Sequence, residues 1–202
     1  MGCGGLASNV FPFGKLVFMV TSNINKFNEA RKVLREFGVS LAMLRIKAVE
    51  IQEDDIEKIA IRSALEASEQ LHLPIIVEDA GLFINALNGF PGPYSNYVYR
   101  TIGVRGVLKL LEGQDDRRAF FKSVVAFCNG RGGVKCFQGV AEGRIVLQPR
   151  GDSGFGFDPI FEPDNSIGKT FGEMPIDEKN LFSHRAQALR KFAVWYKSEG
   201  GI

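Results

Sequence analysis

The sequence is short of the features that mark several large protein classes. Of 202 residues, three are cysteine, two are histidine and one is tryptophan. Cys3, Cys128 and Cys136 fall into no CxxC spacing and cannot all pair, so neither a disulfide framework nor a thiolate zinc site is indicated. A reducing compartment is expected, with Cys128 and Cys136 as buried thiols in strands. His72 and His184 lack metal-ligand spacing. Charge of one sign is also lacking. Lys and Arg number 25 against 23 Asp and Glu, a formal net charge of +2, which argues against a protein held on nucleic acid mainly by charge. No apolar run approaches the roughly 20 residues of a membrane-spanning helix. Residues 1–14, MGCGGLASNVFPFG, have no basic start or apolar stretch of a secretory signal. Leu6 stands where an N-myristoylation site wants Ser or Thr. The expectation is a flexible tail over 1–14, one domain over 15–202, and a cytoplasmic, membrane-free protein.

What is present is a 45% apolar composition, enough for a full core. The run Lys15 to Val20 is short and apolar and reads as a buried strand. A helix is expected from about Asn25 to Phe37, with Phe27, Ala30, Val33, Leu34 and Phe37 on one stripe. Leu41 to Ile46 is a second strand. Asp54 or Asp55 can cap a helix reaching Leu71. Pro74 opens the strand PIIVED. After a turn-rich loop, NALNGFPGPYSN, short helices are expected around 96–102 and 104–111. Arg117 to Asn129 and Val134 to Leu147 read as a hairpin. A brief strand at Ile160 and Phe161 and a helix from His184 to about Lys197, capped by Ser183, complete the chain. This order predicts an α/β protein with a long mixed sheet flanked by helices.

Two motifs mislead. Gly168-Lys169-Thr170 ends like a P-loop, but Pro163 occupies the position of its first glycine. The GFGF stretch lacks the third glycine and the helix of a dinucleotide fingerprint. Four other stretches carry chemistry. Thr21, Ser22, Asn23, Ile24, Asn25 and Lys26 join a buried strand to a helix start, where free N–H groups favour phosphate. Glu78 and Asp79 close the apolar PIIV, and Glu50 lies in the preceding acidic loop. Glu50 and Asp79 could supply the carboxylates that Mg²⁺ takes beside phosphate oxygens. Phe155, Gly156, Phe157 and Asp158 set aromatic faces and an acid on a glycine loop, suited to a planar heterocycle, although both rings could equally plug the core. Finally, Glu178 and Lys179 precede Ser183, His184 and Arg185, donors suited to a purine carbonyl or a phosphate.

In this order the pieces TSNINK, VEDAGLFINALNGFPGPYS, FGFDPIF and EKNLFSHR resemble the inosine triphosphate pyrophosphatase family. The resemblance spans about residues 16 to 196. It implies two lobes with an active-site cleft between them, a homodimer, and Mg²⁺-dependent cleavage of ITP, dITP and XTP to a nucleoside monophosphate and pyrophosphate. It implies that residues 21–26 hold the triphosphate, with Lys26 as the main charge. Glu50 and Asp79 would hold the metal, and Asp79 would activate the attacking water. Phe155 would stack on the base, with Gly156 and Phe157 beside it and Asp158 at the base edge. Lys179 would contact phosphate, and His184 and Arg185 would read the 6-oxo group. Two positions depart from the family pattern. Ala80 stands where a serine is common, leaving only its backbone N–H to face phosphate, and Ser63 stands where a lysine is common, with Arg62 beside it. Other readings are a pyrophosphatase for pyrimidine or modified nucleotides, and a nucleotide-binding regulator without turnover.

Overall fold

The computed structural model describes residues 15–46 and 51–198, the side chain of Lys15 excepted. The tail over 1–14 and Glu50 lie outside the described residues. The first strand, β1, is Lys15–Val20, as its apolar run predicts. Asn23 then caps helix α1 (Ile24–Glu36), its side-chain oxygen accepting from the N–H groups of Asn25 at 2.9 Å and Lys26 at 3.2 Å. The stripe of α1 buries Ala30, Val33 and Leu34, and also Glu29. Strand β2 is Val39–Leu44, two residues earlier than expected. Asp55 caps helix α2 (Ile56–Leu71), which ends at His72 in the left-handed region.

Strand β3 corrects the sequence reading. It does not stop at Glu78 and Asp79 but runs from Ile75 to Ile84. The two acids therefore sit in mid-strand. The strand continues because β5 (Arg118–Cys128) pairs with it without interruption from Ile75↔Cys128 to Ile84↔Ala119. The short strand β4 (Pro91–Gly92) pairs with its far half. Helices α3 (Ser95–Thr101) and α4 (Gly103–Leu110) follow the turn-rich loop. Strand β6 (Val134–Ile145) closes the expected hairpin with β5, and β7 (Phe161–Pro163) pairs with its end. Helix α5 (Ile176–Phe182) went unpredicted, being too short to show a stripe. Helix α6 (His184–Ser198) ends the described chain.

The seven strands form one mixed sheet, ordered β2-β1-β3-β5-β6-β7 with β4 beside β3. β1 is parallel to β2 and β3, and the rest of the ladder is antiparallel. Two apolar clusters lie on opposite faces of the first half. Val17, Ile76, Val125 and Phe127 pack under α1 and α6, and Ile75, Val77, Val124 and Ala126 pack under α2. A third cluster, with Leu82, Ile84, Phe121, Phe161 and Phe171, forms the core of the other half. Gly139 on β6 lets α6 press onto the sheet, because a Cβ there would overlap the His184 carbonyl oxygen. Of the two strand cysteines, Cys128 is buried as expected and Cys136 only half-buried.

Candidate active site

The site forms where β3 loses its neighbour. β1 pairs with β3 only at Phe18↔Ile75 and Met19↔Ile76, and β4 joins at Leu82 and Phe83. Between those points the edge of β3 faces the turn from β1 into α1. Lys26 fills part of this gap: its Nζ donates to the Glu78 carbonyl oxygen at 3.2 Å and lies 3.1 Å from Glu78 Oε2. In the same turn Thr21 Oγ1 accepts from the Asn23 N–H at 3.1 Å, while Ser22, Ile24 and Asn25 are exposed. The Asn23 side chain, expected as an arm toward phosphate, is taken up by its own helix start.

Alternation along a strand sends successive side chains to opposite faces. Glu78 follows Ile76 onto the face under α1 and α6, whereas Asp79 follows Ile75 and Val77 onto the face under α2. On the α6 side a belt of charge is sealed from water. Lys179 Nζ lies 2.8 Å from Glu29 Oε1 and 2.7 Å from Asp158 Oδ2. Arg185 donates through Nη1 to Glu29 Oε2, and its Nε stands 3.1 Å from Glu78 Oε1. Ser123 Oγ donates to Glu78 Oε1 at 2.5 Å. Three cations, Lys26, Lys179 and Arg185, thus meet three carboxylates, Glu29, Glu78 and Asp158. Except for Lys26, each of these six residues is at most 5% exposed.

Balance sets the protonation of the belt. Burial alone would raise the Glu78 carboxyl, but Arg185 and Lys26, with the Ser123 hydroxyl, hold it far below the ordinary carboxylate range. Burial likewise opposes ionisation of Glu29, and Arg185 and Lys179 overcome it. Asp158 goes the other way. Burial pushes its carboxyl up, and Lys179 only partly offsets that because Glu29 is also near. His184 is driven well below its ordinary 6.5, first by burial and then by Arg185. It is therefore neutral, with its ring stacked on Phe121 at 4.6 Å and, among the described residues, no hydrogen-bond partner for its Nδ1.

The glycine loop lies over this belt. The Phe155 ring is 5.0 Å from Lys179 Nζ and 5.4 Å from Arg185 Cζ, and its N–H donates to Asp158 Oδ2 at 2.8 Å. Gly154 has a φ of +76°, and a Cβ there would collide with the Asp158 carboxylate. Gly156 also has a positive φ. Phe155 is half-buried, but Phe157 is 3% exposed, edge-on to Tyr99 within the third core cluster. The loop thus offers one ring to the cleft and uses the other as a plug.

On the α2 side Asp79 is half-buried, and its Oδ1 accepts from the Ala80 N–H at 2.9 Å. The Ala80 N–H, expected to face phosphate, is thus engaged locally. Ser63 is buried on the inner face of α2 and Arg62 is exposed, so Arg62 does not stand in for Ser63. The structure therefore gathers Lys26, Phe155, Asp158, Lys179, His184 and Arg185 from distant stretches onto one face of the sheet, whereas Asp79 lies on the opposite face of β3, toward α2. Sequence reasoning missed Glu29 and Ser123. Their signals were an acid one helical turn before Val33 on the apolar stripe, and a hydroxyl inside the apolar strand RAFFKSVVAFC.

The mixed-sheet fold is shared with known proteins. A Ham1 family profile matches residues 17–195. The dITP/XTP pyrophosphatase of Methanopyrus kandleri is 48% identical over 182 residues, which cover 90% of this chain and 96% of the relative. That of Thermococcus kodakarensis is 48% identical over 178 residues, covering 88% and 95%. Among solved structures, a HAM1 protein from Coxiella burnetii superposes with a TM-score of 0.80 at 31% identity, covering 91% of this chain and 98% of that one. The Ham1 protein of Staphylococcus aureus gives 0.78 at 26% identity, covering 92% and 100%. The chain belongs to the Ham1 family.

Proposed function

We propose that this chain hydrolyses dITP, ITP and XTP to the nucleoside monophosphate and pyrophosphate, removing deaminated purines from the nucleotide pool. The observation that carries the reading is the convergence of Lys26 of TSNINK, Glu78, Asp158 of FGFD and Arg185 of SHR at one gap in the sheet, in a chain close to half identical to dITP/XTP pyrophosphatases. Phe155 stacks on the base above the belt. Arg185, fixed between Glu29 and Glu78, and neutral His184 present donors to the 6-oxo edge. Asp158 and Lys179 act as a pair, the lysine holding the acid at the base pocket and lending positive charge toward phosphate. The turn over residues 21–26, with Lys26, receives the triphosphate.

Asp79 differs from Glu78 in being only half-buried, with the Ala80 N–H donating to its Oδ1. A hard oxygen donor of this kind suits Mg²⁺, and Glu50, in the segment just before α2, is the second carboxylate proposed for it. When bound, the metal would neutralise charge on the phosphates. Asp79 orients the attacking water and takes its proton as the bond to the α-phosphorus forms. Pyrophosphate leaves with the electron pair of the broken anhydride. The working form is proposed as a homodimer in the cytoplasm, acting on free nucleotide rather than nucleic acid. Among the described residues no helix is long and apolar enough to cross a membrane.

The test is product analysis with Mg²⁺ and dITP, XTP, dGTP, dATP or UTP, with pyrophosphate and orthophosphate assayed separately. Pyrophosphate from dITP and XTP, with little from the others, is expected. Orthophosphate would overturn the reaction, preference for UTP would move the base reading to pyrimidines, and tight binding without turnover would make the chain a nucleotide-binding regulator.

A further inference from the structure

We infer that Lys122 receives the leaving pyrophosphate. This inference rests on the proposed reaction and adds a residue to it. Three of the site's cations are already bonded to carboxylates: Lys26 to Glu78, Lys179 to Glu29 and Asp158, and Arg185 to Glu29 and Glu78. Lys122 is different. It lies mid-strand in β5, half-buried, its backbone paired between Gly81 and Val140, and among the described residues its side chain makes no hydrogen bond or ion pair.

Register places it beside the proposed chemistry. Asp79 pairs with Val124 and Gly81 with Lys122, so Lys122 lies two residues along β5 from the partner of Asp79 and on the same face. Such diagonal neighbours are about 7–8 Å apart at Cα, within reach of a lysine side chain. The ammonium therefore lies within one side-chain length of a phosphate held at Asp79.

Space for the ligand is on the same face. A cavity of about 400 Å³ lies between residues 53–56, at the start of α2, and Phe83, Phe120 and Lys122. Its floor is the stacked pair of Phe83 and Phe120, with centroids 4.9 Å apart. Of the three facing acids, two have local duties: Glu53 Oε1 accepts from the Asp54 N–H and its Oε2 lies 3.5 Å from Lys58, and Asp55 caps the helix; the third, Asp54, is exposed. α2 brings no buried cation to this side, since Ser63 is buried, Arg62 is exposed and Lys58 is exposed beside Glu53. Among the described residues lining this cavity, Lys122 is the cation offered to an anion.

In the proposed step, water oxygen bonds to the α-phosphorus, the bridging oxygen departs with its electron pair on pyrophosphate, and Asp79 takes the proton. Negative charge thus grows on the leaving group, where an uncompensated ammonium stabilises it more than it stabilises the bound triphosphate. The apolar stem of Lys122 can also cover the phenylalanine floor, so the informative change is Lys122→Met, which keeps the stem and removes the charge.

The experiment compares wild type, Lys122→Met and Lys122→Arg by calorimetric titration with pyrophosphate in Mg²⁺, by titration with IMP, and by kcat and KM on dITP. Lys122→Met is expected to weaken pyrophosphate binding about tenfold or more, lower kcat on dITP by a similar factor, and leave IMP affinity within about twofold. Lys122→Arg should restore most of both losses. Unchanged pyrophosphate affinity in Lys122→Met, or equal loss of IMP and pyrophosphate affinity, would overturn the assignment. Failure of the underlying reaction would show separately, as a wild type that binds pyrophosphate but releases none from dITP.

Discussion

The two faces of β3 at Glu78 and Asp79 carry one carboxylate each, yet the protein treats them in opposite ways. Glu78 is buried among Arg185, Lys26 and Ser123, with its charge matched. Asp79 is half-buried, on a face that opens toward Lys122 and the α2 cavity. One face is a rigid, neutralised platform, which suits positioning. The other keeps an accessible acid, which suits water and metal. Strand alternation separates the roles of adjacent residues without any change of backbone.

The sharpest break of this contrast is Asp79→Asn. Turnover of dITP should fall about 10³-fold, the range of a lost positioned base, while the urea midpoint stays near wild type. Near-normal kcat would end the proposed role. Glu29→Gln acts on the other face and should do the reverse kind of damage. It leaves Lys179 and Arg185 short of a buried counter-charge, a loss of about 3–5 kcal/mol in stability by urea denaturation. A stability change under about 1 kcal/mol would mean that the belt is hydrated rather than sealed.

Arg185→Lys keeps the charge of the belt and removes the planar fork. The preference for dITP over dATP should drop about tenfold, within the roughly 1–3 kcal/mol of an unpaired buried polar group. An unchanged ratio of kcat/KM values would place the base reading elsewhere.

Acid gives the smallest and most selective probe. Folded His184 resists protonation, whereas the unfolded chain takes up a proton near 6.5, so stability should begin to fall as pH drops through 6.5. One such proton is worth about 1.4 kcal/mol per pH unit. Glu29 and Glu78 add a second loss of the same sign, because their depressed folded values give stability that is present above the ordinary 4.5 and lost as pH falls below it. Asp158, held up by burial, opposes them. Urea midpoints of wild type and His184→Phe between pH 7.5 and 5.5 should separate the first effect. Parallel curves would show that His184 takes up its proton as readily in the fold as in the unfolded chain.

Local signals are legible in the sequence. The apolar run Lys15–Val20, the capped helix to Leu71, the hairpin of β5 and β6, and the helix from His184 all lie close to where periodicity and capping place them. The motifs point to Lys26, Asp79, Phe155, Asp158, Lys179 and Arg185 as one group. They do not tell Phe155 from Phe157, since both rings sit in the same glycine loop and only packing against Tyr99 assigns the plug. Glu29 escapes because an acid on a helix stripe looks solvated until Lys179 and Arg185, about 150 positions later, close on it.

By itself, then, the sequence determined the element types, the mixed α/β class and the family resemblance, because caps, turns and hydrophobic periods are short-range properties. Only the tertiary structure decided that β3 runs on past its two acids, that they face opposite ways into different surroundings, and that Lys122 stands beside one of them. Each of these depends on strand pairing and burial, which join residues far apart in the chain and set the local dielectric that gives a charge its role.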